Sequence, residues 1–104
     1  MIRVNLVILD ENLRKIIGNK EIAFELSEDE ATIEGLIMEA VKRYGCTILE
    51  TFFKPGNSIL LNGQNIEFLG GIKAKLSDGD RVAIMPLIAG GSKGKELYFT
   101  ISIL

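Results

Sequence analysis

At 104 residues, 47% of them hydrophobic, the chain is long enough for one domain around a single core and too short for two. A formal net charge of −2 offers no basic field to a nucleic-acid backbone, so nucleic acid is not expected as a partner. Cys46 is the sole cysteine and histidine is absent, which rules out an intrachain disulfide and a thiolate cluster for zinc, and makes a self-contained hydrolase or metalloenzyme hard to build.

The N-terminal run IRVNLVIL places Ile2, Val4, Leu6 and Ile8 on one parity and Val7 and Leu9 on the other, the pattern of a well-buried strand. It passes straight into charged DENLRK without a small-residue cleavage site, so neither a signal peptide nor a membrane span is expected, and a cytoplasmic location follows. Gly18 and Asn19 punctuate before EIAFEL, where Ile22, Phe24 and Leu26 alternate with Glu21, Ala23 and Glu25; this predicts a second strand in a hairpin with the first. Ser27, with Glu30 at the capping-box spacing and acids in the following turn, predicts a helix over 29–44. Its apolar stripe is Ile33, Leu36, Ile37, Ala40, Val41 and Tyr44, and Gly45 is expected as a left-handed stop. Of that stripe, Ile33, Leu36, Ile37 and Val41 should pack on Val4, Leu6, Phe24, Leu60, Val82 and Ile84.

Ile48, Leu49, Phe52 and Phe53 fit a short helical turn before Pro55-Gly56. In SILLNGQNIEF, Asn62-Gly63 is the dipeptide of a type I′ hairpin, whose two central residues need positive φ. Leu76 to Asp80 reads as a turn. RVAIMPLI reads as a last core strand, with Pro86 where no ladder donor is needed. Strand, strand, helix, hairpin and strand describe an α+β domain, a mixed sheet packed on one main helix.

Residues 59–91, ILLNGQNIEFLGGIKAKLSDGDRVAIMPLIAGG, carry a resemblance to the ubiquitin-like β-grasp sulfur carriers. The matching features are the NG-x-N-I hairpin at Asn62 to Ile66, the L-x-D-G-D turn at Leu76 to Asp80, the V-A-I-M-P strand and the Ala89-Gly90-Gly91 ending. The segment is most similar to the small subunit of molybdopterin synthase and less so to the thiamine-pathway sulfur carrier. The resemblance implies a β-grasp domain over 1–91 and a sulfur carrier of molybdenum or tungsten cofactor biosynthesis. In such carriers the terminal carboxylate is adenylated by a ubiquitin-activating-type adenylyltransferase that uses ATP, and then becomes a thiocarboxylate. Gly91 is the reactive residue so implied, and Ala89, Gly90 and Gly91 the tail. The large subunit of molybdopterin synthase is the implied partner, and the carrier brings no catalytic groups and binds no cofactor. A ubiquitin-like protein modifier or a binding module that only docks is the alternative, because conjugation and sulfur transfer use the same activated glycine.

A bare Gly-Gly is weak evidence, since eleven glycines give roughly one such pair by chance and this chain has them at 70–71 and 90–91. The second pair is distinguished by following the last core strand, and glycine suits a tail that must thread a narrow channel. The first reads as structural. Residues 92–104 depart from the carrier pattern. In ELYFTISIL, Leu97, Phe99, Ile101 and Ile103 share one parity, so this extension reads as an extra C-terminal strand paired with a sheet edge, in its own subunit or in a homodimer. A carrier with this extension needs a processing protease to cut after Gly91. A permanent extension, with carrier chemistry replaced by assembly, is the other option.

Met85, Pro86, Leu87 and Ile88, beside the tail, are the expected partner-binding set. Cys46 is read as a small packed side chain rather than a thiol activated by Lys42 and Arg43. Glu28, Asp29 and Glu30 are read as a charged helical turn, not a metal site. At least one of Phe52 and Phe53 should fill the core instead of forming a docking patch.

Overall fold

The structure, a computed structural model, describes residues 1–86. Its strands are β1 (Ile2–Ile8), β2 (Glu21–Leu26), β3 (Asn57–Leu61), β4 (Gln64–Asn65) and β5 (Arg81–Pro86), and its α-helices are α1 (Glu11–Ile17), α2 (Ile33–Tyr44) and α3 (Ile48–Phe52). The sheet order is β2-β1-β5-β3-β4. β1 runs parallel to β5 and antiparallel to β2, while β3 is antiparallel to both β5 and β4, so the sheet is mixed, as expected.

Period-two alternation sorts the strands between two faces. Val4, Leu6 and Ile8 of β1, Ile22, Phe24 and Leu26 of β2, Ile59 and Leu61 of β3, and Val82 and Ile84 of β5 join one buried cluster with Ile33, Leu36, Ile37 and Ala40 of α2. Val41 is half-buried at its edge. Leu60 departs from the expected core. Its parity is opposite to that of Ile59 and Leu61, and the register aligns it with Ala83, on the face away from α2.

Between β1 and β2 the chain forms α1 instead of a tight hairpin turn. Asp10 caps it by accepting from Leu13 N at 2.9 Å, Leu13 and Ile17 point into the core one turn apart, and Gly18 closes it at φ 86°. The main helix also starts later than expected. Glu28–Glu30 form a separate 3₁₀ turn with no side-chain cap from Ser27, and Thr32 caps α2 by accepting from Gly35 N at 3.0 Å. Tertiary pairing displaces the start: Ile33 N donates to Ala74 O at 3.0 Å and Leu76 N to Ala31 O at 2.8 Å, which draws residues 31–33 against 74–76. Gly45 ends α2 with φ 94° but ψ 162°, so it leaves in an extended direction and not through the left-handed stop.

Asn62 (φ 50°) and Gly63 (φ 86°) make the hairpin turn with both central residues at positive φ, as Asn-Gly demands. β4 is only two residues long, and Ile66–Phe68 turn into a 3₁₀ helix that buries Ile66. Gly70 and Gly71, at φ 105° and 66°, shape a second short turn over 71–73, the structural role read for that pair. The turn before β5 is tied to β1 by Arg3 N donating to Asp78 Oδ1 (2.7 Å) and Gly79 N to Arg3 O (2.8 Å).

Candidate functional site

β5 sits between β1 and β3, so the point where it ends is held from both sides. Leu9 N donates to Ile84 O at 2.9 Å, and Asn57 is the register partner of Pro86. Pro86 occupies the last strand position, is exposed, and withholds no donor from the strand interior. Next to this end lies a group that pattern reading did not single out. Asp10, 4% exposed, accepts from Leu13 N with one carboxylate oxygen and from Asn57 Nδ2 with the other at 3.2 Å, while the same Asn57 nitrogen donates to Thr51 O at 2.7 Å. Arg14 Nη2 donates to Ile8 O at 3.1 Å. These bonds lock together the ends of β1 and α3, the start of α1 and the start of β3. They anchor a strand end, and the N-cap signal of Asp10 ahead of a Leu13–Ile17 pair was the trace of it in the sequence.

Of the expected partner-binding residues, Met85 and Pro86 are described. Met85 faces away from α2 but is only 8% exposed, so it is not a bare surface residue. Leu87, Ile88, Ala89, Gly90 and Gly91, like the extension 92–104, lie outside the described residues.

Cys46 is exposed, contrary to the expected packing: Gly45 leads the chain off the helix at the surface, and inward-facing residues resume only at Ile48. The cations near it in sequence are engaged elsewhere. Lys42 Nζ lies 3.1 Å from a Glu39 carboxylate oxygen, and the hydrogen bond and charge of Glu39, with the charge of Glu30, raise the ammonium above its ordinary value. Arg43 stacks 4.4 Å from the Phe24 ring centroid. Phe52 is buried and Phe53 is exposed, so one of the pair fills the core as expected. Among the described residues no group of three His, Cys, Asp or Glu side chains is placed to hold a metal ion, and no helix is long and apolar enough to cross a membrane.

A mixed five-stranded sheet over one long helix, with a parallel central pair formed by the first and last of the described strands, is the ubiquitin-like β-grasp. The chain belongs to the ThiS family, whose pattern matches residues 7–91. It is 32% identical over 82 residues to small archaeal modifier protein 3 of Haloferax volcanii, an alignment covering 75% of this chain and 88% of that one. A solved structure of a candidate subunit 1 of the molybdopterin converting factor from Pyrococcus furiosus superposes with a TM-score of 0.68 at 26% identity, covering 85% of this chain and all of the other. The Amycolatopsis orientalis BexX/CysO complex contains a chain of the same fold, with a TM-score of 0.67 at 24% identity over 85% of this chain and 99% of that one. The protein is thus a member of a family of ubiquitin-like sulfur carriers and small modifiers.

Proposed function

We propose that the protein is a sulfur carrier whose working end is Gly91, with residues 1–91 as the carrier domain and residues 92–104 removed before it acts. The observation that carries this reading is a coincidence of position: the family match ends at Gly91, the last residue of an Ala89-Gly90-Gly91 tail that begins a few residues after the anchored end of β5. In the uncut chain that carboxyl is tied up in a peptide bond. Once free, its oxygen attacks the α-phosphorus of ATP on a ubiquitin-activating-type partner, releasing pyrophosphate and leaving an acyl-adenylate. Hydrosulfide then adds at the carbonyl and expels AMP, giving the thiocarboxylate. Charge developing on the carbonyl oxygen is stabilised by the partner, since the carrier supplies the reacting atom and not the catalytic groups.

The finer assignment is small subunit of a molybdopterin-synthase-like complex, with Met85, Pro86, Leu87 and Ile88 at the contact with the large subunit. Similarity to the Pyrococcus furiosus protein supports it. A second reading, conjugation of Gly91 to lysines, is supported by the similarity to small archaeal modifier protein 3. Both readings share the activation step, which is tested with a purified adenylyltransferase of the ubiquitin-activating type. A chain ending at Gly91 should release pyrophosphate from ATP and form the acyl-adenylate, and the 104-residue chain should not. Equal activity of the two would overturn the role of Gly91.

A further inference from the structure

Of the six asparagines in the chain, only Asn62 is followed by glycine. In an unfolded chain that pair is chemically unstable. The Gly63 backbone nitrogen, once it loses its proton, attacks Cγ of Asn62, and with no Cβ on Gly63 nothing crowds the approach. A C–N bond forms, the side-chain nitrogen leaves as ammonia, and water opens the resulting succinimide to aspartate or isoaspartate. The folded hairpin opposes this reaction twice. Ring closure needs the Gly63 nitrogen and the Asn62 Cβ on the same side of the Cα–C bond. Asn62 has φ 50°, and in a type I′ turn its ψ is about +30°, which turns the Gly63 nitrogen away from Cβ. The side-chain amide is also clasped at both ends: Nδ2 donates to Asp80 Oδ1 at 3.0 Å, and Oδ1 accepts from Arg81 N at 3.0 Å. The clasp is itself anchored, because Asp80 Oδ2 accepts from Ser77 N at 2.7 Å, Asp80 O accepts from Asn5 N at 2.9 Å, and Asn62 N donates to Arg81 O at 2.8 Å. Asn62 is nevertheless exposed to water, so what protects it is geometry and not burial.

We propose that Asn62 is a latent deamidation site, gated by the β3–β4 turn and held shut by Asp80 and Arg81, and that its reaction is a one-way switch in the fold. When the turn opens, the amide is released from both partners and the Gly63 nitrogen swings round to the side chain. Once ammonia has left, the clasp does not re-form. An aspartate at this position has no Nδ2–H to offer Asp80, so two carboxylates meet where an amide met a carboxylate. An isoaspartate adds a methylene to the backbone of a turn whose length sets the strand register. Either product also brings a negative charge to the edge of the hollow of about 220 Å³ that Asn62, Gly63 and Arg81 help to line on the outer face of the sheet. This site is independent of the role of Gly91.

The full-length chain is incubated in mildly alkaline buffer, with and without denaturing urea, and peptide mass spectrometry follows the conversion of amide to acid at Asn62. A synthetic peptide of residues 57–68, run in both solutions, corrects for the effect of urea on the chemistry. Two hydrogen bonds of ordinary net strength make the open turn rarer by about ten-fold or more, so Asn62 should react more slowly by that factor in the folded chain than in urea. The full-length variant Asp80→Ala, its fold verified by far-UV circular dichroism, should narrow this gap several-fold. Equal corrected rates in the folded and unfolded chain would overturn the proposal, and so would a gap in Asp80→Ala as wide as in the parent. Thermal melts give a second reading that needs no reaction. Asn62→Asp should lower Tm, and the double variant Asn62→Asp/Asp80→Asn, which hands the amide to the other partner, should recover most of the loss. A double variant no more stable than Asn62→Asp alone would contradict the clasp.

Discussion

Replacing Gly35 by alanine sets two effects of opposite sign against each other, and the structure decides between them. In an exposed helix interior, alanine is favoured over glycine by about 1 kcal/mol. Here a Cβ at Gly35 would run into the Glu30 carbonyl oxygen, which is backbone and cannot swing aside like the end of a side chain. That carbonyl also accepts from Thr32 N at 2.8 Å, and the following residues are held by the Thr32 cap and by the bonds of residues 31 and 33 to 74–76. Making room means losing the cap, at about 1 kcal/mol, and weakening two further hydrogen bonds of similar size, so the strain comes to about 3 kcal/mol. The net expectation for Gly35→Ala is a loss of about 2 kcal/mol, or a fall in Tm of about 10 °C for a domain this small. Thermal melts followed by far-UV circular dichroism, checked by urea unfolding, measure it. An unchanged or raised Tm would refute the late helix start at Thr32 and the close approach behind it.

Leu36→Ala, at a position 1% exposed in the cluster, should cost about 2–5 kcal/mol in urea unfolding, whereas less than about 0.5 kcal/mol would mean the helix faces the sheet differently. Asp10→Ala removes a helix cap and leaves the Asn57 amide with one acceptor fewer, and should lower stability by about 1–3 kcal/mol. A neutral result would show that Asp10 does not tie the start of α1 to the start of β3. Gly91→Ala, in a chain ending at residue 91, should slow sulfur transfer while leaving Tm unchanged, because it adds a Cβ next to the reacting carboxyl carbon; a large fall in Tm would make Gly91 structural instead.

Much of the architecture was legible because alternation and turn chemistry are local signals. EIAFEL and RVAIMP became strands on parity alone, and Asn62-Gly63 specified its own turn. What escaped depends on partners distant in sequence. α1 was missed because seven residues with only Leu13 and Ile17 inward make a weak periodic signal between two stronger strands. Ser27 satisfied every local rule for a cap, yet pairing of residues 31–33 with 74–76 moved the helix start to Thr32. Leu60 was placed with the core because the run ILL is apolar on both parities, and only the pairing with Ala83 shows which face it takes. Met85 was expected among the partner-binding residues, but it is only 8% exposed. The Ala89-Gly90-Gly91 tail was expected only through the family pattern of residues 59–91, because a glycine has no side chain from which a role could be read.

The carrier role is tested most directly by the intact mass of the protein purified from its own cells without reducing or nucleophilic additives. The expected main species ends at Gly91 and carries sulfur in place of one terminal carboxyl oxygen. Recovery of the 104-residue chain alone, or of a chain ending at Gly91 that is found joined to lysines and never with sulfur, would contradict it.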